Sequence, residues 1–327
     1  MSVAESEFEG WVLEMLVEQG WHTVHGPDIA PGMLDAERSD YREVVLEGRL
    51  RDAIYRLNPY LPDDAVEDAI KTALRPESPV IQSENWRAFE LLTQGVPVEY
   101  RDGEGVLRNV RTRLIDWGEP QSNDLLAVNQ FTIQGAKKER RPDVVLFVNG
   151  LPLGLLELKK PGAQNATIAS AYAQIQTYKA QIPDLFTWNA GVVLSDGFLA
   201  RMGTLTAQAN HFQAWKTIDG QSLATKYRPE IEVMVAGFLS PEVFLDWTRN
   251  FLAYSGDGAK MTKIGAKYHQ YWAVRKAVFE TIEAVENDGR AGIVWHTQGS
   301  GKSFEMAWTA GALILDPPSR FCGLFRW

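Results

Sequence analysis

The sequence predicts an α/β protein: a mixed sheet flanked by helices, followed by the start of a second α/β unit. Three observations carry this. Helical spacing dominates the first 94 residues; Val-, Leu- and aromatic-rich runs separated by turn residues fill 96–159; and an apolar strand, glycine loop and helix succeed one another after 292.

In chain order, Phe8, Val12, Met15 and Leu16 recur at helical spacing over 6–19, which ends at Gly20. A Gly/Pro/Asp loop runs from Gly26 to Pro31. Helices are expected at Tyr41–Leu57, at Pro62–Leu74 with acidic residues in its first turn, and at 84–94 before Gly95. Strands are expected at 96–100, 106–117, 125–133 and 143–148. Asn149-Gly150 is a hairpin turn leading into a second arm, Leu151–Lys159, which ends at Pro161-Gly162. A helix at 165–181 and a strand at 189–195, closed by Asp196-Gly197, come next. The span 204–250 has no single period. The polar, glycine-containing 255–265 reads as a linker, followed by a helix at 266–286, a strand Gly292–Trp295, a glycine loop and a helix from Lys302.

Composition narrows the class. The 327 residues are 45% apolar and 23% charged, as in water-soluble domains, and suggest about two of them at roughly 150 residues each. No run approaches the ~18 apolar residues of a membrane span, and MSVAESEFEG lacks the pattern of a secretory signal. The single cysteine, Cys322, excludes an internal disulfide framework and a cysteine-built zinc site. A cytoplasmic protein is expected. The net charge of −9 argues against a chain that coats nucleic acid along its whole surface. Basic residues are nevertheless gathered at Lys137-Lys138, Arg140-Arg141 and Lys159-Lys160. Lys137 and Lys138 alone read as a solvated loop.

The richest stretch chemically is RPDVVLFVNGLPLGLLELKKPG, residues 141–162. Asp143 opens one strand, and Glu157 and Lys159 end the next. Residues i and i+2 of a strand share a face, so Glu157 and Lys159 project together. Two carboxylates on a rigid hairpin suit Mg²⁺, which prefers oxygen ligands and keeps several waters. An ammonium beside them suits a developing phosphorane charge. A plain Glu157–Lys159 ion pair on an edge strand is the competing interpretation. The metal-site reading makes one demand. A strict two-residue turn would set Pro142 opposite Glu157 and send Asp143 to the other face, so an odd loop or one bulge is required. Downstream, Gln174 and Tyr178 lie four apart on one helix face.

Together these residues resemble the PD-(D/E)xK, restriction-endonuclease-like nuclease fold in its RecB-like branch, which places a Q-x-x-x-Y helix after the catalytic strands. More narrowly, residues about 80–310 resemble the restriction (R) subunit of type I restriction–modification enzymes, through NWRAFELLTQGVPVEY, LIDWGEPQSNDLLAVNQFTI, the 141–162 stretch and VLSDGFLARMGT. The resemblance implies Asp143 and Glu157 as metal ligands for Mg²⁺, Lys159 as the catalytic lysine, and Gln174 and Tyr178 as DNA-contacting or supporting residues. It also implies a carboxylate from an early helix. Glu9 is the candidate, against the plainer expectation that it faces solvent.

Residues 292–303, GIVWHTQGSGKS, end in a phosphate-binding loop. Backbone N–H groups of Gly299, Ser300 and Gly301 would cradle the phosphates of ATP. Lys302 would reach the β/γ-phosphates, and the Ser303 hydroxyl would sit on Mg²⁺. His296 stands where the usual pattern has glycine and reads as a loop-packing residue; the whole resembles superfamily 2, helicase-like motors. Gln270 resembles the adenine-reading glutamine of such motors, since an amide pairs with both a donor and an acceptor. The Walker B acids and a second RecA-like domain are missing, and the tail after Arg320 departs from the family, suggesting truncation or a frame change there. The division implied is an endonuclease domain (1–254), a linker (255–265) and an incomplete RecA-like domain (266–327), with everything after about 265 loosely packed. The implied partners are double-stranded DNA and the modification and specificity subunits. A RecB-like repair exonuclease fused to a helicase and a nonenzymatic DNA-binding or assembly module are the alternatives.

Overall fold

The computed structural model describes residues 5–160, 162, 167–287 and 289–315. Pro161, the first two residues of the helix read from 165, Cys322 and the tail after Arg320 lie outside the described residues.

Helix α1 (Glu5–Glu18) leads into a short strand, β1 (His22–His25), and a long loop to α2 (Glu47–Leu57), α3 (Asp63–Leu74) and α4 (Ile81–Gln94). The expected helix at Tyr41 begins six residues later, because 41–46 are used to meet the hairpin turn: Leu46 N donates to Gly150 O at 2.9 Å. Strands β2 (Val96–Arg101) and β3 (Leu107–Thr112) form a separate ribbon. There follow β4 (Leu125–Asn129), β5 (Ile133–Gln134), β6 (Glu139–Arg140), β7 (Val144–Val148), β8 (Leu151–Leu158), α5 (Ile168–Gln181), β9 (Gly191–Ser195) and β10 (Ala200–Gly203). The span without a legible period holds α6 (Glu230–Val233), which runs into a π-turn, and α7 (Pro241–Asn250).

The main sheet has the order β1-β4-β7-β8-β9-β10, parallel at β1/β4 and β8/β9 and antiparallel elsewhere. Its central strands β7 and β8 are buried at every residue, which is why β7 reads as an unbroken apolar run and β8 as one interrupted by a charge only at Glu157. Two cores flank the sheet. Val144, Leu146, Leu156 and Leu158 face one, beneath the α2–α4 and α7 side, while Val145, Phe147, Leu155, Val192 and Leu194 face the other, under Ala171, Ile175 and Tyr178 of α5.

Three expectations for the C-terminal part are corrected. The supposed linker is a hairpin, β11 (Leu252–Ser255) with β12 (Thr262–Gly265), and its Lys263 is buried. Nor is the segment after 265 uniformly loose. Helix α8 (Tyr268–Glu286) buries Tyr271, Val274 and Val278, and Tyr271 donates to Asp246 Oδ2 at 2.7 Å while Trp247 Nε1 donates to Ala266 O at 2.9 Å. Helix α9 (Lys302–Leu315) packs Trp308 against this core. The expected strand at 292–295 does not form; Ile293 and Trp295 are 93% and 82% exposed. A strand of a parallel sheet needs neighbours and covering helices, and among the described residues none lies beside it.

Candidate active site

The β7–β8 hairpin turns on Asn149 and Gly150, at φ 51° and 79°, the left-handed pair of a type I′ turn. The turn is internal. Asn149 Nδ2 donates to Leu114 O and Asn123 Oδ1, both at 2.8 Å, and its Oδ1 accepts from Asp124 N at 2.8 Å. A Cβ on Gly150 would lie 2.3 Å from Leu46 O, so close approach as well as φ calls for glycine.

From this turn the register runs Val148↔Leu151 and Phe147↔Pro152, then shifts to Leu146↔Gly154, Val145↔Leu155 and Val144↔Leu156. Leu153 is therefore an extra residue, a bulge. Core packing records the same shift: Leu151 and Leu153 face one core, and beyond the bulge Leu156 and Leu158 face it, leaving Leu155 to the other. Continued by one pair, the shifted register sets Asp143 opposite Glu157 on the α5 side of the sheet. The irregularity demanded by the metal-site reading is present.

Glu157 is 1% exposed, and Lys159 Nζ donates to its Oε1. The ion pair of the competing interpretation thus exists, but on a central strand rather than an edge. Asp143 Oδ2 accepts from Leu158 N at 2.6 Å, and Lys159 N donates to Ser195 O at 2.8 Å, fixing the strand end against β9. Burial, then the charge of Glu157, push the Asp143 carboxyl up to about 8. The phenol of Tyr178 is held above its ordinary value, by burial first and then by Glu157 and Asp143, and it hydrogen-bonds with Glu157 and Gln174. Helix α5 thus brings Tyr178, with Gln174 beside it, close to the two carboxylates.

Glu9 is not solvent-facing. It is 7% exposed, and its two oxygens accept from Asn129 Nδ2 and Gln130 Nε2, each at 2.6 Å. Gln130, at φ 55°, also donates its N–H to Asp143 O at 3.0 Å. The charge of Glu9 reaches Asp143. Among the described residues no three His, Cys, Asp or Glu side chains close on one point, and the donor set is the Asp143–Glu157 pair with Glu9 set back behind its amides. Asn129 and Gln130 were invisible as site residues in the sequence; only β4 ending beside Asp143 reveals them.

The residues assigned to nucleotide also meet. Gln270 Nε2 donates to Ser300 O at 2.9 Å, and its Oε1 accepts from Lys267 N at 2.9 Å. Lys302 Nζ donates to the carbonyls of His296 and Thr297, at 2.8 and 3.2 Å, and His296 Nδ1 bonds Glu305 Oε1 at 2.7 Å. Ser303 is exposed on the first turn of α9. A cavity of about 350 Å³ lies beside Gln270 and Gly299–Gly301, walled by Met202–Thr204 and Thr262–Gly265.

The sequence that builds this sheet and hairpin matches that of known proteins. Residues 3–211 match the family described as type I restriction enzyme R protein N terminus, and residues 269–321 match the SWI2/SNF2 ATPase family. The chain belongs to the type I restriction R-protein family. It is 38% identical, over 96% of its length, to the type I restriction enzyme HindI endonuclease subunit of Haemophilus influenzae. It is 29% identical, over 92%, to the putative type I restriction enzyme MjaIXP endonuclease subunit of Methanocaldococcus jannaschii. The chain spans about 30% of the length of each of these relatives. No helix among the described residues is long and apolar enough to cross a membrane.

Proposed function

We propose that the chain is the DNA-cutting part of a type I restriction R subunit, a PD-(D/E)xK nuclease hydrolysing phosphodiester bonds of double-stranded DNA with Mg²⁺. The observation that carries this reading is the bulge at Leu153, which sets Asp143 opposite Glu157 with Lys159 alongside.

The donor set fits the ion. Mg²⁺ takes one or two carboxylates plus water, and two crowded carboxylates, one of them pushed up by its burial and then by the charge of the other, gain from a cation between them. Asp143 and Glu157 would hold it, with Glu9 set back behind Asn129 and Gln130. Bound there, Mg²⁺ supplies charge to the scissile phosphate and acidity to a water. The residues do the rest. Lys159 reaches from the strand end to the phosphorane charge and the attacking water. Tyr178 fixes the Glu157 carboxylate from behind, and Gln174 fixes Tyr178. Glu9, Asn129 and Gln130 hold the backbone at Asp143.

In the whole protein this cutting would be coupled to ATP-driven translocation, in the cytoplasm, with modification and specificity subunits as partners. Gln270 would read the adenine, Gly299, Ser300, Gly301 and Lys302 would hold the phosphates, and Ser303 would hold their Mg²⁺. The test is plasmid nicking with Mn²⁺. The chain should nick, and Glu157→Ala should not; equal nicking by both would overturn the assignment.

A further inference from the structure

Beside the carboxylates this acidic chain presents a compact concentration of positive charge. Residues 137–141 read Lys-Lys-Glu-Arg-Arg, and Lys137, Lys138 and Arg141 are exposed, with no side-chain ion pair or hydrogen bond among the described residues. Such a run is usually a solvated loop. Here it is the tip and outgoing arm of an ordered hairpin, β5–β6, paired Ile133↔Arg140 and Gln134↔Glu139.

The hairpin is fastened at three points. Gly135 N donates to Lys138 O at 2.9 Å, closing the turn, and Gln134 N donates to Tyr41 O at 2.9 Å. Arg140 Nε donates to Gln181 Oε1 at 2.7 Å. Gly135 packs so tightly on the last turn of α5 that an added Cβ would lie 1.9 Å from Gln181 O. Gln181 is one turn beyond Tyr178, ~4.5 Å along the helix axis. The basic tip is therefore fixed to the helix that backs Glu157, and its outgoing arm runs directly into Asp143.

Chain length bounds the reach. Arg141 lies within ~7 Å of Asp143, and Lys138 within ~18 Å, at full extension. One DNA strand advances 3.4 Å per nucleotide, so these cations fall within about five base pairs of a phosphate bound at the carboxylates.

We propose that the β5–β6 hairpin grips the phosphate backbone of duplex DNA through Lys137, Lys138 and Arg141, holding the strand beside Asp143 and Glu157; this rests on the DNA-cutting reading above. The contact is with phosphates and carries no sequence information. With a net charge of −9 over 327 residues, the chain gains DNA affinity where its cations are gathered rather than from its surface as a whole.

The experiment is a fluorescence-anisotropy titration of the full chain with a 30-base-pair duplex, in Ca²⁺ to suppress cutting, across about 50–200 mM KCl. Replacing Lys137, Lys138 and Arg141 by Ala together should weaken binding at least ~10-fold and reduce the salt slope by about 2–3, one phosphate per cation. Its melting temperature should not change, because the side chains are exposed. Gly135→Ala keeps every charge but breaks the packing on Gln181, and should also weaken binding. Lys71→Ala with Arg75→Ala, exposed cations on the α3 side, should leave affinity and slope as in the unaltered chain. A triple variant with unchanged affinity and slope overturns the grip, as does a control pair that loses as much as the triple variant. Failure of the unaltered chain to bind the duplex at 50 mM KCl removes the DNA-cutting reading itself, and the grip with it.

Discussion

Removing one charge from the acidic hairpin should stabilise the protein and make it indifferent to Mg²⁺. Directly opposed residues of an antiparallel pair hold their Cβ atoms ~5 Å apart. Two carboxylates at that separation repel by ~3 kcal/mol at an effective dielectric of about 20. Lys159 offsets part of this through its bond to Glu157, leaving ~1–2 kcal/mol for Asp143→Asn to release once pH is high enough to ionise Asp143, a Tm rise of roughly 1.5–3 °C. In the unaltered chain Mg²⁺ does the same work by mass action, and at ten times its Kd stabilises by about 1.4 kcal/mol. The sign of the pH dependence follows from Asp143, whose carboxyl is pushed up to about 8 by burial and by Glu157. The folded chain keeps a proton there that the unfolded chain releases near pH 4. Metal-free stability therefore falls as pH rises from about 4 to 8, and the gain from Mg²⁺ grows over that window. Calorimetry at pH 6 and 8, with and without 10 mM Mg²⁺, reads all three effects. An unaltered chain whose Tm ignores both Mg²⁺ and Mn²⁺ at pH 8, with an Asp143→Asn Tm no higher, would refute the argument.

Three further outcomes are expected. Tyr178→Phe, which takes the phenol from Glu157, should cut nicking by about 10–100-fold without abolishing it, as loss of an outer-shell partner does; undiminished nicking would remove Tyr178 from the site. Burial lowers the Lys263 amine to about 7, so the unfolded chain holds more protons between about pH 7 and 10 and stability should rise across that window; Lys263→Met should flatten this in urea midpoints at pH 6.5 and 9, and parallel curves would count against it. Gly301→Ala should lower affinity for a fluorescent ATP analogue at least ~10-fold, because Gly301 sits at φ 92° and an added Cβ would lie 2.3 Å from Gln270 Nε2; equal binding would detach Gln270 from the nucleotide reading.

What the sequence disclosed tracks the range of the forces involved. The β7–β8 hairpin was legible because its turn residues and apolar arms are local, and an odd loop or a bulge could be demanded in advance because side-chain alternation across a strict two-residue turn sends Asp143 to the other face; the structure uses the bulge. Strand β1 was not, since His22–His25 is short and mostly exposed and is a strand only beside β4. Lys263 misled in the same manner: a lysine among glycines reads as linker, yet its amine is satisfied at 3.1 Å by Asn85 Oδ1 and at 2.6 Å by Asn189 O, 178 and 74 residues away. Glu9 looked like surface on an apolar helix until β4 brought Asn129 and Gln130 to it. The run 292–295 has strand composition but no neighbour to pair with among the described residues.

The bulge at Leu153 also makes the hairpin intolerant of one particular kind of evolutionary drift. Surface loops absorb insertions and deletions at little cost, and the stretch between β2 and β3 could lengthen without moving any carboxylate. Between Asn149 and Leu156 length is instead read by parity. Adding or losing one residue exchanges which side chains face α5, and adding a second restores them. Selection on this segment should therefore spare substitutions among apolar residues and purge single-residue changes of length, so that the spacing from Asp143 to Glu157 outlasts the identity of nearly everything between them.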